Sequence, residues 1–185
     1  MKLLVAITGA SGMIYARRLL SFLSQTSHVV HIIVSQRAKE VLALEGEELP
    51  IPKRFPVHSE RSLRIPFASG SARFDGMVIV PCSMATFARI AHGISDNSIT
   101  RAADVCLKER RRLILVPREM PWNAIHARNA VTLLEAGAIV IPACPSFYSR
   151  PTTLEELADT VVARVLDQLG IPNELSPRWM DTEEG

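Results

Sequence analysis

A doubly wound, three-layer α/β/α fold on a mostly parallel sheet is what the sequence predicts, on three observations. Short apolar, β-branched runs alternate with longer stretches of helical periodicity, the signature of βαβ units. The short runs are apolar throughout, as strands of a parallel sheet covered on both faces must be. The chain has 185 residues, which fits a single domain spanning 1–185, with a tail of about 172–185 extended or partly ordered.

The elements follow in order. Leu3–Ile7 is the first strand, and Met13–Leu23 a helix with Ile14, Leu19, Leu20 and Leu23 as its apolar positions. Val29–Val34 is the second strand and Arg37–Leu44 a short helix. Glu47–Gly76 breaks the alternation: Pro50, Pro52, Pro56 and Pro66 mark a surface excursion with short local elements. Met77–Val80 is the next strand, Met84–Ile90 and Ile99–Arg110 are helices, and Leu113–Val116 is a strand. Asn123–Ala136, Ala138–Ile141 and Leu154–Leu169 complete the pattern as helix, strand and helix.

Composition narrows the function. The hydrophobic fraction of 48% and charged fraction of 22% exclude a disordered chain. With 21 Lys+Arg against 19 Asp+Glu, the chain lacks the basic excess of a nucleic-acid or membrane-surface binder. Cys82, Cys106 and Cys144 are an odd set without CxxC spacing, so neither a disulfide framework nor a structural zinc site is expected. A reduced, cytoplasmic setting follows as the expectation. No apolar run reaches the ~18 residues of a membrane span. The histidines show neither HxH nor HExxH spacing, so no metal is expected.

Open α/β sheets bind ligands at the carboxyl ends of their strands, so the residues there carry the chemistry. After the first strand, Thr8-Gly9-Ala10-Ser11-Gly12 offers a tight turn and free amides at a helix start. It is neither a GxxxxGK[ST] loop nor a full GxGxxG fingerprint, and a plain strand-to-helix turn is the competing reading. Ser35 reads as a helix N-cap. In Pro81-Cys82-Ser83-Met84-Ala85-Thr86, Ser83 and Thr86 can cap a helix while facing an anion, and Cys82 reads as core. Arg101 and Lys108, seven residues apart, share one helix face and form either a phosphate clamp or a solvated surface. Arg118-Glu119 between Pro117 and Pro121 places a cation and a proton acceptor at a strand end, with a local ion pair as the alternative. The Pro142–Pro151 turn presents Tyr148, and Arg164 sits among valines on the last helix as an anion ligand or an edge residue.

Five segments together, TGASG at Thr8–Gly12, PCSMAT at Pro81–Thr86, RAADVCLKERR at Arg101–Arg111, LVPREMP at Leu115–Pro121 and FYSRP at Phe147–Pro151, resemble the flavin prenyltransferases, the UbiX-type flavoproteins. The resemblance runs from Leu3 to about Gly170. It implies a Rossmann-like flavoprotein that takes dimethylallyl monophosphate and reduced FMN, joins the prenyl group to flavin N5 and C6, and passes prenylated FMN to UbiD-type decarboxylases. It also implies a homododecamer with active sites between subunits. Carried over by position, Gly9, Ala10, Ser11, Ser35, Ser83, Met84, Ala85, Thr86 and Arg118 match FMN contacts. Arg101, Lys108, Tyr148 and Arg164 match residues that hold the prenyl phosphate. Ser11, Glu45, Glu119, Lys108 and Trp179 match groups near the reacting atoms. Breaking an allylic C–O bond develops a cation and a phosphate anion, and donors placed on that phosphate stabilise the departing charge.

Two other readings share these residues. A flavin-dependent cysteine decarboxylase has the same sheet and flavin site, with a PASANT-type segment in place of PCSMAT. A non-catalytic FMN carrier needs one phosphate site, whereas Arg101, Lys108, Tyr148 and Arg164 supply a second.

Overall fold

The computed structural model describes residues 1–62 and 64–179. Residues 180–185 of the expected tail lie outside the described residues. The elements are β1 (Lys2–Ile7), α1 (Met13–Ser24), β2 (Val29–Val34), α2 (Gln36–Glu45), β3 (Val57–His58) and β4 (Gly76–Cys82), followed by α3 (Met84–Ala91), α4 (Ser98–Lys108), β5 (Arg112–Pro117), α5 (Ala124–Glu135), β6 (Ile139–Val140) and α6 (Leu154–Leu169). The strands form one sheet in the order β3-β2-β1-β4-β5-β6. Every pairing is parallel.

Alternation along the strands sorts the core into two layers. Leu3, Val5 and Ile7 of β1 pack with Val78, Val80, Ile114 and the apolar faces of α1 and α6. Leu4 and Ala6 point the other way, onto Met77, Ile79, Phe87, Ala102 and Leu133 from β4, α3, α4 and α5. The three-layer sandwich is thus the direct outcome of a period of two on fully apolar strands. The α1–α6 layer is pinned by Arg18, whose guanidinium grips Asp159 through Nε at 2.7 Å and Nη2 at 2.6 Å. Because Asp159 is only 5% exposed, that fork satisfies a carboxylate that burial would otherwise penalise.

Helix ends follow local chemistry. Thr153 and Glu156 form a capping box at the start of α6, and Gly170 closes it in the left-handed conformation. The helix expected to run to Arg110 ends at Lys108 instead. Arg110 adopts φ 54°, and the Arg111 amide reaches back to the Cys106 carbonyl at 2.8 Å. That geometry terminates a helix without a glycine and turns the chain into β5. The proline-rich excursion holds β3, an edge strand too short to show a period in sequence.

β3 is fastened to β2 by a histidine pair. His31 Nδ1 and His58 Nε2 lie 2.8 Å apart, with the rings stacked at 5.1 Å and the edge of buried Phe67 against both. Burial holds both imidazoles below their ordinary value, and for His31 the His58 ring and the Lys2 cation add to that. The folded state therefore binds fewer protons than the unfolded chain, so stability is full above about pH 6.5 and is lost as pH falls below it. Urea midpoints should be lower at pH 5.5 than at pH 7.5, and His58→Gln should shrink that difference. Equal pH dependence in the variant would remove the pair as its source.

Candidate active site

The strand order reverses between β1 and β4, which opens a crevice where their carboxyl ends diverge. Thr8, 1% exposed, stitches the two ends together. Its amide and hydroxyl both donate to the Pro81 carbonyl, at 3.2 and 2.9 Å, while its Oγ1 accepts from the Ser83 amide at 2.8 Å. Pro81 has no amide to give, and the β4–β5 register shifts between Ile79 and Cys82. Thr8 takes up the backbone groups that this irregularity frees.

The β1–α1 turn approaches other backbone closely. A Cβ on Gly9 would lie 2.5 Å from Arg37 Cβ, and Gly12 turns at φ 101° over the Tyr15 ring. Gly12 has no side chain to cap α1. Glu45, at the end of α2, does so from a distance, its Oε1 and Oε2 accepting from the Gly12 and Met13 amides at 2.8 and 3.2 Å. Burial raises the Glu45 carboxyl, but the Ser11 hydroxyl, these two amides and the Arg118 charge outweigh it and hold it below its ordinary value. Ser35 caps α2 through Ala38, and Ser83 caps α3 through Thr86, with Ser83 Oγ also 3.1 Å from Thr86 Oγ1. Arg118 Nε donates to the Ser11 carbonyl at 3.1 Å. Glu119 accepts from the Met120 amide at 3.2 Å, and no ion pair joins Arg118 to Glu119 among the described residues.

These segments enclose a cavity of about 370 Å³ lined by Gly9, Ala10, Ser11, Glu45, Ser83, Met84, Arg118 and Glu119, with Val41 and Leu44 as an apolar wall. Ala85 and Thr86 continue the first turn of α3 beside it. A second cavity of about 330 Å³ opens beyond β6. It gathers Tyr148, Arg164 and Trp179: the Tyr148 hydroxyl donates to the Pro177 carbonyl at 3.3 Å, and its ring meets Trp179 edge-on at 5.5 Å. Arg164 pairs with Asp167 at 2.8 Å. Tyr15, on α1, lines neither of these cavities and instead borders the space beside Ser11, Gly12 and Glu45. Burial raises its phenol, the neighbouring Cys144 raises it further, and Arg118 opposes both; Cys144 lines one cavity and Arg118 the other.

Arg101 and Lys108 join neither cavity. They lie on α4, across the sheet from α6. Arg101 donates to the Ala68 carbonyl and pairs with Asp104 at 2.9 Å, while Lys108 pairs with Glu109. Cys82 and Cys106 are core residues: burial pushes the Cys82 thiol far up and the Cys106 thiol to about 12.

A family model described as Flavoprotein matches residues 1–166. A flavin prenyltransferase UbiX of Methanocaldococcus jannaschii is 47% identical, over 97% of this chain and 98% of its own length. The chain belongs to the flavin prenyltransferase family. Solved structures agree. AnUbiX (PadA1), in complex with FMN and dimethylallyl pyrophosphate, superposes with a TM-score of 0.92 at 38% identity, covering 98% of each chain. A dodecameric FMN-dependent UbiX-like decarboxylase from Escherichia coli O157:H7 gives 0.89 at 39% identity, covering 97% of this chain and all of the other.

Relative to the residues that motif reading singles out, this flavin prenyltransferase chain adds several. Val41 and Leu44 line the first cavity and Tyr15 borders the turn beside it, but in sequence they are ordinary helix positions. Trp122 holds the Glu119 carbonyl through its indole N–H at 3.0 Å and tilts against Phe87; it follows directly on the LVPREMP segment, the one signal that points to it. Asp167 engages two arginines. Among the described residues, no group of three or more His, Cys, Asp or Glu is placed to hold a metal.

Replacing Thr8 by valine tests the stitch. The shape is nearly kept, but the Ser83 amide loses its acceptor, so stability should fall by about 1–3 kcal/mol. Denaturant titration should show this together with weaker flavin binding. A neutral substitution would show that β1 and β4 are aligned by other contacts.

Proposed function

We propose that this single-domain chain transfers a dimethylallyl group from dimethylallyl monophosphate to N5 and C6 of reduced FMN, and that the prenylated FMN leaves for a UbiD-type decarboxylase. The observation that carries the reading is a pair of cavities that both open beyond the carboxyl ends of the strands. One carries the turns and helix N-termini that suit a flavin and its phosphate, and the other is lined by arginine and tyrosine.

The donor set fits FMN. Ser35, Ser83 and Thr86 stand at the N-termini of α2 and α3, where hydroxyls and unpaired amides favour a phosphate. The turn Gly9-Ala10-Ser11 offers backbone at close range, Met84 and Ala85 continue the contact, and Arg118 reaches over Ser11. Val41 and Leu44 supply apolar surface for a ring. When bound, reduced FMN supplies the nucleophilic nitrogen and carbon that accept the prenyl group.

The chain's own residues do the rest. Arg164 and Tyr148 take the phosphate of the prenyl donor and stabilise its charge as the C–O bond breaks. Trp179 and Tyr148 present aromatic surface to the allylic cation. Glu119, at the edge of the flavin cavity, accepts the proton released from C6. Ser11 and Glu45, the latter fastened to the Gly12 and Met13 amides, hold the turn beneath the reacting atoms. Holding both substrates in register replaces a bimolecular encounter.

Arg101 and Lys108 belong in this scheme as contributions from a neighbouring subunit. Support for assembly comes from α5, which leaves Ile125, Val131 and Leu134 exposed by 62%, 54% and 54%, and from Tyr148 and Trp179, exposed by 52% and 73% in the single chain. Apolar surface of this kind marks protein contacts, and a homododecamer is the proposed state. Three free thiols and the absence, among the described residues, of a helix long and apolar enough to cross a membrane support a cytoplasmic setting.

Anaerobic incubation with reduced FMN and dimethylallyl monophosphate should yield FMN heavier by one prenyl unit on mass spectrometry. Bound FMN without that mass gain would favour the carrier reading. Glu119→Gln should slow product formation by about 10²-fold or more while leaving the FMN dissociation constant unchanged. A collapse of flavin affinity would make Glu119 structural instead.

A further inference from the structure

The cavity beyond β6 contains a negative charge where an anion is meant to bind. Asp167, on α6, is only 18% exposed at its side chain. Its Oδ2 accepts from Arg164 Nη1 at 2.8 Å, and its Oδ1 accepts from Arg178 Nη2 at 2.9 Å and from Asn173 Nδ2 at 3.1 Å. Burial raises this carboxyl, but the Arg178 and Asn173 hydrogen bonds and the charges of both arginines outweigh it and hold it below its ordinary value. All four side chains line the same cavity. One carboxylate thus bridges a cation on the rigid helix and a cation on the C-terminal segment that also carries Pro177 and Trp179, the two residues that touch Tyr148.

We propose that Asp167 is the resident counter-ion of the prenyl-phosphate pocket. It is a positioning residue that keeps Arg164 and Arg178 aimed at one point, and it competes with the incoming phosphate for their donors. The proposal rests on the assignment of this cavity to the prenyl phosphate and deepens it by adding Arg178 as the second cation. Two guanidiniums held on one carboxylate are preorganised for a tetrahedral anion, since each presents planar donors in a fixed fork. The negative charge offsets one of the two cations, leaving Arg164, Arg178 and Asp167 with a net charge of +1, and lowers the pocket's affinity for free phosphate, so product phosphate is released readily. The same contacts hold the 173–179 segment, and with it Trp179, against Tyr148.

The test uses the full-length, FMN-loaded protein in its native assembly. Asp167→Asn keeps the shape and one acceptor while removing the charge. Inorganic phosphate, followed by calorimetry, should bind about threefold or more tightly to the variant, the scale of a partly exposed ion pair. Turnover with dimethylallyl monophosphate should fall about tenfold as Arg164 loses its aim, with FMN affinity unchanged. A merely structural aspartate would not tighten phosphate binding, so equal or weaker binding overturns the proposal. Arg178→Gln, in the C-terminal segment outside the core, is the companion variant. It should weaken inorganic phosphate binding severalfold, and unchanged binding would remove Arg178 from the pocket. If the wild-type protein makes no prenylated FMN, the prenyltransferase reading fails, whereas the phosphate titrations still decide the role of Asp167.

Discussion

The hydrogen bonds of Thr8 set the geometry on which the cavity at the ends of β1 and β4 depends. In a parallel sheet the two strands flanking the switch point carry their connections to opposite faces, and nothing in the ladder fixes how their ends sit once pairing stops. β4 adds a difficulty, because Pro81 removes one amide and the register slips beside it. A single buried hydroxyl and its own amide absorb the mismatch. From that point the two turns at the cavity, Gly9–Gly12 and Ser83–Thr86, are held relative to one another. Gly9 can then approach Arg37, and Glu45 can reach the head of α1.

A second regularity concerns charge. Basic groups assigned to anion binding do not stand free: Arg118 is engaged by the Ser11 carbonyl, Arg101 by Asp104, Lys108 by Glu109, and Arg164 by Asp167. Each internal partner reduces the field that an unliganded pocket would present and fixes the direction of long, flexible side chains. The cost is competition with the ligand, small at solvent-exposed sites and larger where the partner is sheltered. In the proposed site, affinity for the whole substrate would therefore also come from its apolar part and from the aromatic surface of Tyr148 and Trp179.

Much of this architecture was legible in the sequence because continuous apolar strands and amphipathic helices obey a period that survives any context. Val29–Val34 and Leu154–Leu169 agree with the structure residue for residue. What escaped was whatever depends on a tertiary partner. Two residues cannot show a period, so β3 is invisible until His58 meets His31. A non-glycine residue in the left-handed conformation leaves no trace, so α4 was expected to run two residues past its actual end. In the site, Gly9, Ser11, Ser83, Arg118 and Glu119 stand out because strand ends are where ligands go, and the fold brings them together with Glu45. Tyr15, Trp122 and Asp167 look like any helix or loop residue, and only three-dimensional contact marks them. The helix-face argument for Arg101 and Lys108 holds within α4, but it could not reveal that the sheet separates them from Arg164.

That separation has a genetic reading. Because α4 and α6 lie on opposite sides of the sheet, the proposed prenyl-phosphate pocket would draw its basic groups from different copies. A lesion in Arg101 and a lesion in Arg164 then damage different halves of each composite pocket. Co-expressed in one cell, two such crippled alleles would assemble into mixed particles in which some pockets inherit both intact halves, so each allele could partly compensate for the other.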